Sequence, residues 1–159
     1  SWPFGTHMCV VEIDTETGET EVLQYVAVDD CGNKVNPLIV DGQVHGGVIQ
    51  GLAQALYEEA AYDSDGNLQS SSLAEYLVPA ASDVPSITLG ESITPSPTNP
   101  LGVKGVGEAG TIGAAPCVMN AVVDALSGLG VRDIQMPASP VRVWNAIQEA
   151  RNNTQENQQ

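Results

Sequence analysis

The sequence predicts an α+β fold, a mixed sheet with helices packed on it, and three observations carry that expectation. Two apolar, β-branched runs, His7 to Ile13 and Glu21 to Val28, flank the turn-forming residues Asp14-Thr15-Glu16-Thr17-Gly18-Glu19, which is hairpin chemistry. Helix openings of the Asn-Pro or Ser-Pro kind precede apolar residues at helical spacing. The strand and helix patterns follow one another without regular βαβ alternation, which points away from a doubly wound parallel sheet.

After the hairpin, Asn36 supplies an N-cap and Pro37 a first helical residue, and the helical pattern continues to about Tyr62. Asp63-Ser64-Asp65-Gly66-Asn67 closes it as a loop, and Leu68 to Val78 reads as a short extended or mixed segment before Pro79. Ile87 to Glu91 suits a strand, whereas Pro95, Pro97 and Pro100 forbid regular ladder pairing beyond it. Ala115 to Leu126 has the composition of a helix with Pro116 in its first turn and Gly128 past its end. Val131 to Met136 fits a last strand, and Ser139-Pro140 opens a last helix running to about Arg151. One domain over residues 1–151 and a disordered polar tail over 152–159 are therefore expected.

The length of 159 residues suits a single core. A net charge of −15 with only five Lys and Arg residues argues against nucleic acid or an anionic membrane as partner. Cys9, Cys31 and Cys117 are too widely spaced for a disulfide framework or for the ligand spacing of zinc or iron–sulfur sites, and read as buried thiols in a reducing cytoplasm. No apolar run long enough to span a bilayer and no signal peptide are expected. The opening Ser1-Trp2-Pro3-Phe4-Gly5 lacks Met and enters a strand pattern almost at once, as the tail of a longer protein would.

Two stretches carry chemistry. In NPLGVKGVGEAGTIGAAP, residues 99–116, a single carboxylate, Glu108, stands among glycines 102, 105, 107, 110 and 113 with no bulky polar neighbour nearer than Lys104. Glycine there permits positive φ or close approach of another body. Glu108 has three readings: a helix-start carboxylate, an ion-pair partner of Lys104, or a catalytic base desolvated in an apolar pocket. Gly105, Gly107 and Gly110 also match G-x-G-x-x-G, but the prolines upstream cannot form the buried parallel strand that a dinucleotide turn requires.

The second stretch is DGQVHGGVIQGLAQAL, in the long helix. At about 100° per residue, Gln43, Gly46, Gly47, Gln50 and Gln54 share roughly a third of the circumference, opposite Val44, Val48, Leu52, Ala55 and Leu56. Glycines at 42, 46, 47 and 51 each cost roughly 1 kcal/mol relative to Ala in a helix, so close approach to that face is expected. Helix–helix packing is one explanation. A ligand is the other, because amides both donate and accept and suit a heterocycle edge. His45 falls on the apolar side and His7 in a strand, and both read as satisfied core histidines rather than metal ligands.

GQVHGGVIQGLAQALYEE at 42–59, TPSPTNPLGVKGVGEAGTIGAAP at 94–116 and the opening FGTHMCVVEID resemble the C-terminal part of the molybdenum-binding subunit of the xanthine dehydrogenase, aldehyde oxidoreductase and aerobic carbon monoxide dehydrogenase family. The resemblance covers nearly the whole chain to about Arg151. It implies a molybdopterin cofactor carrying molybdenum, in the simple or cytosine-dinucleotide form, with iron–sulfur clusters and FAD on partner subunits or segments rather than on this chain. Glu108 matches the glutamate that takes a proton as a water-derived oxygen attacks an electrophilic carbon. Gln43 matches the glutamine that binds the cofactor, Lys104 and Gly107 match positions lining the same pocket, and Gly46, Gly47 and Gln50 lie in the same motif. No residue of this chain is expected to ligate the metal. The family's subunit is several times longer, so the chain is expected to be one piece of it, inactive alone, working with the remaining large-subunit segments on an aldehyde, an N-heterocycle or carbon monoxide. An assembly domain without cofactor and a dinucleotide module through Gly105 to Gly110 are the alternatives.

Overall fold

A computed structural model describes residues 2–156. The hairpin forms as the sequence predicts, from β1 (Phe4–Ile13) and β2 (Thr20–Asp30), paired antiparallel with a bulge between Val10 and Val11. Its turn is closed by the Asp14 carboxylate, which accepts from the backbone N–H groups of Glu16 and Thr17 at 2.8 and 3.3 Å, while Gly18 takes a φ of 77°. β3 (Ile87–Glu91) adds to β2 in parallel, giving a mixed sheet in the order β1-β2-β3. This is the mixed sheet expected of the α+β class.

Helix α1 (Pro37–Leu56) starts at the predicted cap: Asn36 has extended φ and ψ, and its side chain accepts from Ile39 N–H. It ends at Leu56, short of the expected Tyr62. Tyr57 leaves the helical region, and the N–H groups of Tyr57 and Glu58 both turn back onto the Ala53 carbonyl, at 2.9 and 2.8 Å.

Helix α2 (Ala109–Leu126) starts six residues earlier than the expected Ala115. Pro116 therefore lies inside the helix on its exposed side, where the Ile112 carbonyl that its absent N–H would have bonded stands at an exposed position. The stretch Val131 to Met136 is no strand. Val131 and Ile134 are buried as plugs from irregular chain, and Ala138 N–H bonds to the carbonyl of Ala55 at 2.6 Å, so these residues close the core below α1 without needing a partner strand. Helix α3 (Pro140–Glu156) begins where predicted and continues past Arg151 to Glu156, so residues 152–156 of the expected tail are helical, while 157–159 lie outside the described residues.

One core unites Tyr25 and Ala27 of β2, Val44, Val48 and Leu52 of α1, Val118, Val122 and Leu126 of α2, and Val143 and Ile147 of α3. The span Ala109–Leu129 is 21 residues with a mean hydropathy of 1.5, long and apolar enough to cross a membrane, which corrects the expectation that no such run exists. One face of it, Ala114, Val118, Val122 and Leu126, is buried against the rest of the domain, while Ile112, Pro116 and Asn120 are exposed.

Candidate cofactor-binding edge

The loop that carries Glu108 is fastened to the end of β2. Gly102 takes a φ of 66°, and its carbonyl accepts from both Asn33 N–H and Ser96 N–H, each at 3.1 Å. Gly32, at φ 68°, brings its backbone so close to the Gly102 carbonyl that a Cβ would stand 2.1 Å from that oxygen. Asn99 brackets the turn by accepting from Val103 N–H at 3.1 Å and donating to the Val103 carbonyl at 3.0 Å. Lys104 N–H then bonds to the Cys31 carbonyl at 2.8 Å.

Lys104 does not meet Glu108. Its ammonium lies 2.8 Å from an oxygen of Asp30, with side-chain exposures of 7% and 0%, and the Phe4 ring covers it at 4.7 Å. Burial alone would raise the Asp30 carboxyl; the Lys104 ammonium and the Gly32 N–H, which donates to it at 2.9 Å, outweigh that and hold it well below the usual carboxylate range. The ion-pair reading of Glu108 is thereby corrected.

Glu108 itself occupies the N-cap position of α2 without a side-chain capping bond, and it is exposed. The helix-start reading therefore holds for its backbone. The apolar enclosure that the catalytic reading calls for is not built by the described residues alone. The Glu108 backbone stands at the positive end of the α2 dipole.

The glycines of α1 divide into two groups. A Cβ on Gly47 would lie 2.8 Å from Thr111 N, one on Gly51 would lie 2.6 Å from the Ala114 Cβ, and one on Gly110 would lie 2.5 Å from the Val44 carbonyl oxygen. These three are the close crossing of α1 and α2, sealed by the Thr111 hydroxyl donating to the Gly47 carbonyl at 2.7 Å. Gly47 is therefore buried against α2 and absent from the open face, which corrects its assignment there. Gly42 and Gly46, by contrast, face open space, with nothing within 4 Å of where a Cβ would stand.

Gln43, Gln50 and Gln54 are exposed beside them. A Cβ on Gly107 would stand 3.7 Å from Gln43 Nε2, and Gly105 faces open space, so the amide face of α1 meets the glycines just before Glu108. Among the glycines of residues 99–116 only Gly102 has positive φ; Gly110 and Gly113 serve close approach, and a Cβ on Gly113 would stand 2.7 Å from His7 Nδ1. The dinucleotide reading loses its structural requirement, since β3 ends at Glu91 and an irregular, proline-containing segment leads to Gly105.

Next to Glu108, Ala109 forms part of a cavity of about 290 Å³ whose walls include Phe4, His7, Asp29, Ile112 and Cys117. The His7 side chain is 3% exposed and satisfied as expected, with Nδ1 2.8 Å from the Tyr25 hydroxyl and Nε2 3.4 Å from Asp29. Burial, then the neighbouring Cys117, pushes the Cys9 thiol up to about 12 and the Tyr25 phenol up as well, so these groups stay neutral. His45 departs from expectation: it is exposed, with Nδ1 2.8 Å from the Asp41 carbonyl. Asp30 and Phe4 were not singled out by the sequence; the only signal there was an acid ending an apolar strand in a chain with few cations.

The domain thus combines an antiparallel pair extended by one parallel strand, two helices crossed at glycines, and an open edge of amides and glycines beside Glu108. The chain belongs to the molybdopterin cofactor-binding domain family, whose model matches residues 1–85. It is 42% identical to the carbon monoxide dehydrogenase large chain of Hydrogenophaga pseudoflava, over 94% of this chain and 19% of that protein. It is 43% identical to the nicotine 6-hydroxylase large subunit of Paenarthrobacter nicotinovorans, over 89% of this chain and 17% of that one. Among solved structures it superposes on reconstituted CO dehydrogenase from Oligotropha carboxidovorans with a TM-score of 0.93 at 38% identity, covering 96% of this chain and 19% of that one. Quinoline 2-oxidoreductase from Pseudomonas putida 86 gives 0.89 at 45% identity, covering 91% and 18%. The chain thus spans about a fifth of the length of these relatives.

Proposed function

We propose that this chain supplies one wall of the molybdenum cofactor site of a multi-subunit molybdenum hydroxylase, with Glu108 as the base. The observation that carries this reading is the meeting of Gln43 with Gly107, one residue before Glu108. The donor set fits the group: exposed amides at Gln43 and Gln50 match the donor and acceptor edge of a pterin, and the open backbone at Gly46 and Gly105 leaves room for it. When bound, the cofactor supplies a two-electron acceptor and an activated water-derived oxygen.

This chain's own residues have narrower tasks. Gln43 and Gln50 orient the cofactor edge, and Gly46 and Gly107 let it approach the backbone. Glu108 accepts the proton released as oxygen is delivered to the substrate carbon. Gly47 and Lys104 serve the same edge from behind, through the helix crossing and the Asp30 pair. Remaining large-subunit segments, and partner subunits carrying iron–sulfur clusters and flavin, complete the enclosure and the electron path, in a reducing cytoplasm that suits three free cysteines. The substrate class is an aldehyde, an N-heterocycle or carbon monoxide.

In the assembled enzyme that contains this chain, Glu108→Gln is expected to keep its molybdenum content and lose about 10²- to 10⁴-fold in kcat. Dye-linked turnover and metal analysis of the same preparation check this, and a variant with normal turnover would sink the base assignment. The chain by itself is expected to bind no molybdenum and to give no dye-linked oxidation.

A further inference from the structure

Between Lys104, fastened at main chain and side chain, and Ala109, where α2 begins, the chain runs Gly105-Val106-Gly107-Glu108. Two glycines flank Val106, which packs against the core and accepts from Ala109 N–H at 3.2 Å, so the position of the Glu108 carboxylate depends on how firmly Lys104, Val106 and α2 hold the two glycine joints between them. The downstream end is a helix packed into the core. The upstream end is held by the Lys104 ammonium in the Asp30 carboxylate, both all but removed from water, together with Lys104 N–H on the Cys31 carbonyl. A well-packed apolar pair would stabilise such a position at least as well as a buried ion pair, so directionality is what the pair adds.

We propose that the buried Asp30 to Lys104 ion pair is a positioning clamp that fixes where Glu108 stands relative to the amide face of α1. The inference rests on the cofactor-site reading above and assigns Asp30, 78 residues before Glu108 in the chain, a part in it. Lys104 then acts through Glu108 rather than by touching the cofactor, and the Phe4 ring, 4.7 Å from the ammonium, helps to cover it.

The test uses the assembled enzyme and three variants, Lys104→Met, Lys104→Arg and the double Asp30→Asn/Lys104→Met, read by molybdenum content, amide hydrogen exchange over residues 99–108 and steady-state kinetics. Lys104→Met is expected to retain molybdenum, to exchange at least about tenfold faster over that segment, and to lose roughly 10- to 100-fold in kcat with KM little changed. Lys104→Arg, which keeps a cation against Asp30, restores slow exchange and most of kcat. In a Glu108→Gln background, Lys104→Met lowers kcat no further. Unchanged exchange and kcat in Lys104→Met would overturn the clamp, as would loss of molybdenum in step with kcat, which would make Lys104 a cofactor ligand. If Lys104→Met does not assemble, the double variant leaves no unpaired buried charge and carries the same readouts, slow exchange in it being the overturning result. Normal turnover in Glu108→Gln removes the base reading alone, because the exchange measurement still decides whether the pair holds the segment.

Discussion

The two edges of helix α1 use the same residue for opposite ends. On one edge, Gly47 and Gly51 meet Gly110 and Ala114 of α2 so closely that a Cβ at any of the three glycines would come within 2.8 Å of a neighbouring atom. On the other, Gly42 and Gly46 have nothing within 4 Å of where a Cβ would be, although a glycine inside a helix costs about 1 kcal/mol relative to Ala. The closed edge explains its glycines by packing within the domain. The open edge has no such explanation among the described residues, and it lies beside the exposed amides and the Glu108 loop. A helix alone does not reveal which of its glycines belong to which edge; the partner helix does.

Substitution at the closed edge should have the largest effect on folding. Gly110→Ala places a methyl 2.5 Å from the Val44 carbonyl oxygen and 2.9 Å from Val48 N, both backbone atoms that cannot swing aside. The helices must separate, so a loss of about 3 kcal/mol is expected, at the upper end of ordinary overpacking. Denaturant unfolding of the variant checks it. A Gly110→Ala protein as stable as the parent would mean that the two helices do not cross at this distance.

Acid should act through Asp30, which fastens the loop beside the open edge. Its folded carboxyl is held below its ordinary value of 3.8, so the stability it contributes is fully present above that value and is lost as pH falls below it toward the depressed one. Protonation there leaves the Lys104 ammonium buried without a counter-charge. Unfolding followed from pH 5 down to pH 2, roughly the window over which a salt-bridged Asp gives up its contribution, should show a loss that Asp30→Asn/Lys104→Met lacks. Parallel acid curves for the two proteins would separate the pair from stability.

Much of the fold was legible because local chemistry decided it. The hairpin turn, the Asn36 cap with Pro37, the β3 strand and the Pro140 start all follow from residues within a few positions of one another. The errors share a cause in distant partners. Pro116 suggested a helix start because proline is tolerated in a first turn, yet on the exposed side of α2 it is tolerated inside the helix, and the glycines before it were free to be helical once α1 lay against them. Val131 and Ile134 look like strand residues because burial and strand share a composition. At the edge, the motifs brought Gln43 and Glu108 forward as candidates, and the structure places the Gln43 amide beside Gly107, one residue before Glu108. Gly47 was misplaced because 100° per residue locates a face without saying what covers it, and the Asp30 to Lys104 pair joins residues 74 positions apart that no local pattern connects.

The smallest expected effect on folding is the most discriminating, because it has the opposite sign to that at Gly110. Gly46→Ala adds a methyl to a helical position with open space around it, so the purified protein should gain up to about 1 kcal/mol from helix propensity alone. Nothing within the domain then accounts for a glycine there. If the open edge receives the cofactor, the same methyl occupies the space that the ligand needs, and molybdenum content of the assembled enzyme should fall while thermal stability of the chain rises. A variant that is stabilised and retains full molybdenum content would show that Gly46 faces plain solvent, and would confine the cofactor to the Gln43, Gly107 and Glu108 end of the edge. A destabilised variant would show instead that another segment of the larger protein packs on α1 as tightly as α2 does.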